Sequence, residues 1–132
     1  MKKLKNILLI DDDYPTNFLH EIILTDSGRV ENIEAKLTAD LGMAYLHEAF
    51  EKDISPELIF LDINLPAKNG FEFMDEYELL PEEIKSKSQI IMFSTSENPS
   101  DIQRSKTYPS IKEIIVKPIS EEIINGIINN YF

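Results

Sequence analysis

Cysteine is absent from the 132-residue chain. Neither a disulfide framework nor thiolate chemistry is therefore available, which fits a reducing compartment. No apolar run approaches the ~18 residues of a membrane span. Three lysines stand among the first five residues, but the apolar stretch behind them, Ile7 to Ile10, is cut short by three aspartates. A secretory signal needs a longer apolar run and a small-residue cleavage site, so none is read here and the expected location is the cytoplasm, with no membrane partner. A G-x-G-x-x-G loop and a Walker lysine loop are both missing, which removes the usual marks of nucleotide binding. Basic residues are scarce too, 13 against 24 acidic ones, for a net charge of -11. Such a surface repels phosphate backbones and argues against direct nucleic-acid binding.

What remains is an ordinary soluble balance, 42% hydrophobic and 28% charged residues, at the usual size of one domain. Four short apolar runs stand out: NILLI before Asp11, ELIFL before Asp62, QIIMF before Ser94 and KEIIV before Lys117. Their length and β-branched content predict buried strands of a parallel sheet. RVENIEAKL alternates apolar and polar residues and predicts an edge strand. Five helices are expected between and after them. Pro15 opens the first, with Phe18, Leu19, Ile22 and Ile23 on its inner face and Ser27-Gly28 at its end. The second spans about Asp40 to Lys52 with Leu41, Ala44, Tyr45 and Ala49 inward. The third starts near Gly70 and is stopped by Pro81. Asn98 caps a poorly amphipathic fourth, and the last follows Pro118 with Ile119, Ile123, Ile124, Ile127 and Ile128 at helical spacing. Strict alternation implies right-handed crossovers and an α/β, doubly wound parallel sheet, with the flavodoxin-like order 2-1-3-4-5 as the leading expectation.

In such a sheet the carboxyl ends of all strands lie on one edge. Asp11-Asp12-Asp13, Asp62, Ser94 and Lys117-Pro118 then meet in one cleft, because neighbouring strands are only about 4.8 Å apart. Any single aspartate after a strand is more often a helix cap or turn residue, and Asp13, just before the Pro15 helix, suits that role. A lone serine or Lys-Pro is usually a loop feature. The joint pattern has no such explanation. Carboxylates packed together raise one another's pKa unless a cation neutralises them, and an all-oxygen donor set suits magnesium. With Lys117 and the Ser94 hydroxyl, this is a site for a phosphoryl group in which an aspartate can act as nucleophile.

The segments ILLIDDDYPTNFLHEII, LIFLDINLPAKNGFEF, IIMFSTSE and IIVKPI resemble, in order and spacing, the signature segments of the receiver domain of bacterial two-component response regulators. The resemblance covers essentially the whole chain and implies one receiver domain over residues 1–132. It implies that Asp62 accepts a phosphoryl group from a sensor histidine kinase or a histidine phosphotransfer protein. Asp12 would bind magnesium directly (manganese can substitute), Asp11 would act at the metal through water, and Asn64 would offer its backbone carbonyl. Ser94, Thr95 and Lys117 would meet the phosphoryl oxygens. The peptide before Pro118 would be cis, and Asn69-Gly70 would open the third helix. With the chain ending at Phe132, output is expected through a downstream protein target or onward phosphotransfer.

Three positions depart from the family pattern. Ser94 stands where threonine is common, Thr95 where a small residue is common, and Ile114 where an aromatic switch residue is common. Ile114 cannot swing a ring, so readout is expected through the Ser94 loop, the fourth helix and the fifth strand. The competing enzyme reading is a small magnesium-dependent aspartyl phosphohydrolase of haloacid dehalogenase type. Against it, Pro15 occupies the last position of that signature after the first strand, and no cap domain is present. A degenerate, unphosphorylated receiver is disfavoured because every phosphorylation residue is present.

Overall fold

A computed structural model describes residues 2–132. Five strands form one parallel sheet in the order β2-β1-β3-β4-β5. They are β1 (Leu4–Ile10), β2 (Val30–Lys36), β3 (Leu58–Asp62), β4 (Gln89–Ser94) and β5 (Ile111–Val116). The flavodoxin-like order anticipated from alternation is the observed one. Within the central strands the side chains alternate between two cores. Leu8, Ile10, Ile59, Leu61, Ile90 and Met92 face one side, and Ile7, Leu9, Leu58, Phe60, Ile91 and Phe93 the other. Every residue of β3 is buried, as befits a strand covered on both faces.

Six helices are present among the described residues, not five: α1 (Tyr14–Asp26), α2 (Ala39–Glu51), α3 (Gly70–Tyr77), α4 (Glu82–Lys85), α5 (Pro99–Ser105) and α6 (Glu121–Tyr131). The additional one is the single turn α4. Pro81 does end the preceding segment, but its fixed φ also suits it to the N-cap of a new turn. Glu82 and Glu83 lie in that turn's first residues and buried Ile84 anchors it. The first face of the sheet is covered by α2 and α3, through Ala39, Leu46, Phe71, Phe73, Met74 and Tyr77. The second is covered by α1 and α6, through Leu24, Ile124, Ile127 and Ile128.

Two helix faces differ from expectation. In α1 the buried residues are Asn17, His20 and Leu24, while Phe18, Leu19 and Ile22 are exposed and Ile23 is half-buried. The apolar residues had pointed to the opposite face, but two polar side chains turn inward because they bond backbone groups of the site loops described below. In α2, Ala39, Gly42, Leu46 and Ala49 are buried, and Leu41 and Ala44 are exposed. Gly42 lies directly on the Ile10 side chain, and a Cβ there would overlap it. The bare backbone is what sets the closest approach of α2 to the sheet.

Candidate functional site

β1 ends at Ile10, and the next residue, Asp11, is held to the edge strand by an N–H bond to the Lys36 carbonyl, 3.1 Å. Its Oδ1 accepts from the Asp13 N–H at 2.9 Å, closing a tight Asx turn. Asp13 is the N-cap of α1 and accepts from the Thr16 N–H at 3.2 Å, so the third aspartate serves the helix. Asp62 is the last residue of β3, and its Oδ1 accepts from the Asn64 N–H at 3.4 Å. After it the chain turns closely back. The Gly70 N–H donates to the Ile63 carbonyl at 2.8 Å, and a Cβ on Gly70 would lie 2.5 Å from the Asp62 carbonyl oxygen. Asn69 caps α3 in a reciprocal box with Glu72.

Lys117 follows β5, and its N–H donates to the Ser94 carbonyl at 2.9 Å. Its ammonium reaches across the sheet edge to Asp11 Oδ2 at 2.6 Å and Asp62 Oδ1 at 3.4 Å. The Lys117-Pro118 peptide bond is cis. One carboxylate oxygen from each of Asp11, Asp12 and Asp62 lies within 4.8 Å of the others, with Asp12 exposed and the other two buried. These residues, with Asn64, Thr95 and Lys117, line a cleft of about 510 Å³.

One lysine does not neutralise this cluster. Burial pushes the Asp62 carboxyl above the usual carboxylate range, the nearby Asp11 charge pushes it further, and Lys117 only partly opposes them. Burial works against the Lys117 charge, yet its hydrogen bond to Asp11 and the fields of both carboxylates hold its pKa above the ordinary value. Hard oxygen donors carrying surplus negative charge are what a small divalent cation such as magnesium or manganese requires, so the residues fit one.

The strand-end residues thus converge, with one difference in detail. Ser94 sits at the end of β4, but its hydroxyl donates to the Ser96 carbonyl. It lines a second cavity of about 350 Å³, shared with Ile102, Ile114 and Ile123, and is not among the residues lining the acidic cleft. Ile114 pairs with Met92 in the β4–β5 ladder and is half-buried. Thr16 and Leu19 also line the acidic cleft. Behind it, the Asn17 amide donates to the Asp11 carbonyl at 2.8 Å, and His20 Nε2 accepts from the Ile119 N–H at 3.4 Å. Nothing in residue type or spacing marks these four positions. They follow only from the rotation of α1.

The family model for the response regulator receiver domain matches residues 7–129. Response regulator Rcp1 of Synechocystis is 29% identical over 100 residues, 74% of this chain and 67% of that protein. The crystal structure of its Mn(2+)-bound form superposes with a TM-score of 0.75 at 27% identity, covering 96% of this chain and 94% of that one. Transcriptional regulatory protein MalR of Bacillus subtilis is 25% identical over 96% of this chain, which spans only 49% of MalR. A two component response regulator from Cytophaga hutchinsonii gives a TM-score of 0.91 at 30% identity, over 97% of this chain and 96% of that one. The chain therefore belongs to the response regulator receiver domain family, as a phosphorylation-dependent signalling switch and not a classical enzyme.

Proposed function

We propose that Asp62 is the phosphoacceptor of this switch and that it takes its phosphoryl group from a phosphohistidine of a sensor histidine kinase or a histidine phosphotransfer protein. The observation that carries this reading is the convergence of the Asp11, Asp12 and Asp62 carboxylates within 4.8 Å, with the Lys117 ammonium 3.4 Å from Asp62. In the transfer, an Asp62 carboxylate oxygen attacks phosphorus, the phosphorus–nitrogen bond of the donor breaks, and an acyl phosphate forms. Asp11, Asp12, Asp62 and the Asn64 backbone carbonyl would hold the divalent cation, and the manganese-bound form of the relative Rcp1 supports that assignment. When bound, the cation supplies charge neutralisation for the phosphoryl oxygens. Lys117 binds the same oxygens from the β5 side, and Ser94 and Thr95 contact them from β4. Lys117 then leaves Asp11 for the phosphoryl group, and Ser94 leaves Ser96.

No described helix is long and apolar enough to cross a membrane, and this reading has the switch working in the cytoplasm beside its phosphodonor. Output is by protein contact or onward phosphotransfer. The test is labelling with a small phosphodonor, acetyl phosphate, with and without magnesium. Stoichiometric, magnesium-dependent labelling that is lost in Asp62→Asn is the expected result. Label persisting in that variant, or multiple-turnover hydrolysis of phosphate esters, would overturn the assignment.

A further inference from the structure

His20 is buried in α1 at 1% exposure, where a helix packed on an apolar sheet would ordinarily carry an aliphatic residue. Its ring lies against Phe93 of β4, with centroids 4.9 Å apart. Its Nε2 accepts from the Ile119 N–H, so the ring proton sits on Nδ1. Burial lowers the His20 pKa to about 4, Asp11 opposing and Lys117 adding to the effect, so that lone pair is available at neutral pH.

The connection from β5 to α6 has few backbone anchors near the site. The Lys117 N–H is bonded to Ser94, Pro118 has no N–H, and the next donor is Ile119. One turn earlier on the same helix face, Asn17 holds the Asp11 carbonyl. The inner face of α1 thereby grips both loops whose side chains, Asp11 and Lys117, meet at 2.6 Å. Without an acceptor at position 20 a buried N–H is orphaned, and the connection must shift to satisfy it.

We propose that His20 is a positioning residue of the phosphotransfer site: by accepting from Ile119 it fixes the Lys117-Pro118 connection and hence the reach of the Lys117 ammonium to Asp62. This rests on the reading of Asp62 given above.

The experiment compares His20→Phe, which keeps a ring against Phe93 but removes the acceptor, with His20→Gln, which keeps an acceptor but loses the ring. Acetyl phosphate labelling of Asp62 is expected to slow by about tenfold or more in His20→Phe, since small misplacements cost large factors in rate. His20→Gln is expected to recover most of that loss. Adding His20→Phe to Lys117→Met is expected to cause no further slowing. In metal-free protein, amide exchange at Ile119 is expected to be slow in wild type and in His20→Gln, and much faster in His20→Phe. A His20→Phe protein labelled at the wild-type rate, or effects of the two substitutions that simply multiply, would overturn the assignment. So would rapid Ile119 exchange in the wild-type protein, which requires no variant to fold. If wild type is not labelled, or Asp62→Asn still is, the reading of the site itself fails and this inference falls with it.

Discussion

Lys117 Nζ lies 2.6 Å from Asp11 Oδ2, and both side chains are withdrawn from solvent, 14% and 2% exposed. In this arrangement the ammonium stands in for part of the charge that a divalent cation would bring, and under the proposed metal assignment lysine and cation would compete for Asp11. Lys117→Met should therefore lower the stability of metal-free protein by about 1–3 kcal/mol, since two buried carboxylates lose their cation. The same change should tighten magnesium binding by about tenfold, roughly 1.4 kcal/mol, because a competing positive charge is gone. Thermal melts in a magnesium titration measure both quantities. An unchanged or weaker magnesium response in the variant would contradict competition.

Asp62 carries a raised pKa, chiefly from burial and then from Asp11. Between the ordinary carboxylate range and that raised value, the folded protein keeps a proton that the unfolded chain has released. Stability attributable to Asp62 is thus fully present below the ordinary range, falls as pH rises through the window, and stays lost above it. Asp62→Asn should consequently melt a few degrees above wild type at pH 7 in chelator. The gap should narrow on acidification into the window, and also in excess magnesium. Equal melting temperatures at pH 7 without metal would show that the Asp62 charge is already compensated.

The strand ends of this fold are legible in the sequence because buried parallel strands write themselves as short, continuous apolar runs. The polar residue ending each run is automatically on the ligand-binding edge. That logic brings Asp11, Asp62 and Lys117 together without any structure. The faces of α1 and α2 are not legible in the same way. Apolar periodicity points outward at Phe18 and Ile22 because the inner face of α1 is chosen by two hydrogen bonds, to Asp11 and Ile119, whose partners are distant in sequence. In α2 the choice falls to Gly42, which has no side chain to count. The direction of the Ser94 hydroxyl is a rotamer about one bond, and composition carries no information on it.

Gly70 and Gly126 make a matched pair of tests. A Cβ at Gly70 would lie 2.5 Å from the Asp62 carbonyl oxygen and 3.0 Å from Ile63 Cα, both backbone atoms that cannot yield without moving Asp62. Gly70→Ala should cost about 1–3 kcal/mol of stability. It should also slow Asp62 labelling by about tenfold or more. At Gly126, inside α6, a Cβ meets nothing within 4 Å. Gly126→Ala should therefore stabilise the protein by about 0.5–1 kcal/mol from helix propensity and leave labelling unchanged. Denaturant unfolding with parallel labelling assays checks both, and a benign Gly70→Ala would remove steric contact as the reason for glycine there.

Thr95 is exposed and lines the acidic cleft beside Asp62 and Lys117. On the proposed reading, its exposed methyl and hydroxyl narrow the approach of an incoming phosphodonor to Asp62. Thr95→Ala should speed labelling by acetyl phosphate several-fold without changing the melting temperature by more than a degree or so, as for most surface changes. An unchanged labelling rate would mean that access past this residue is not limiting.

On the proposed reading, readout of phosphorylation without an aromatic at position 114 starts from Ser94. Its hydroxyl is bonded to the Ser96 carbonyl, and the Ser96 N–H donates back to it at 3.2 Å. Turning that hydroxyl toward a phosphoryl group on Asp62 breaks both contacts and frees the connection into α5. The helix that follows has only seven residues and no buried apolar side chain, so little core packing resists its movement. Its far end is tethered instead by surface contacts: Arg104 lies over the Phe71 ring at 4.5 Å, and the Tyr108 hydroxyl donates to Asp75 at 2.7 Å. Binding of beryllofluoride, a phosphoryl mimic, should therefore shift amide NMR signals mainly within residues 95–117. Ile114→Phe should leave the labelling rate unchanged while altering the size of those shifts, since its side chain lines the cavity shared with Ser94. Shifts confined to the acidic loops, with residues 95–117 silent, would show that the signal leaves the site by another route.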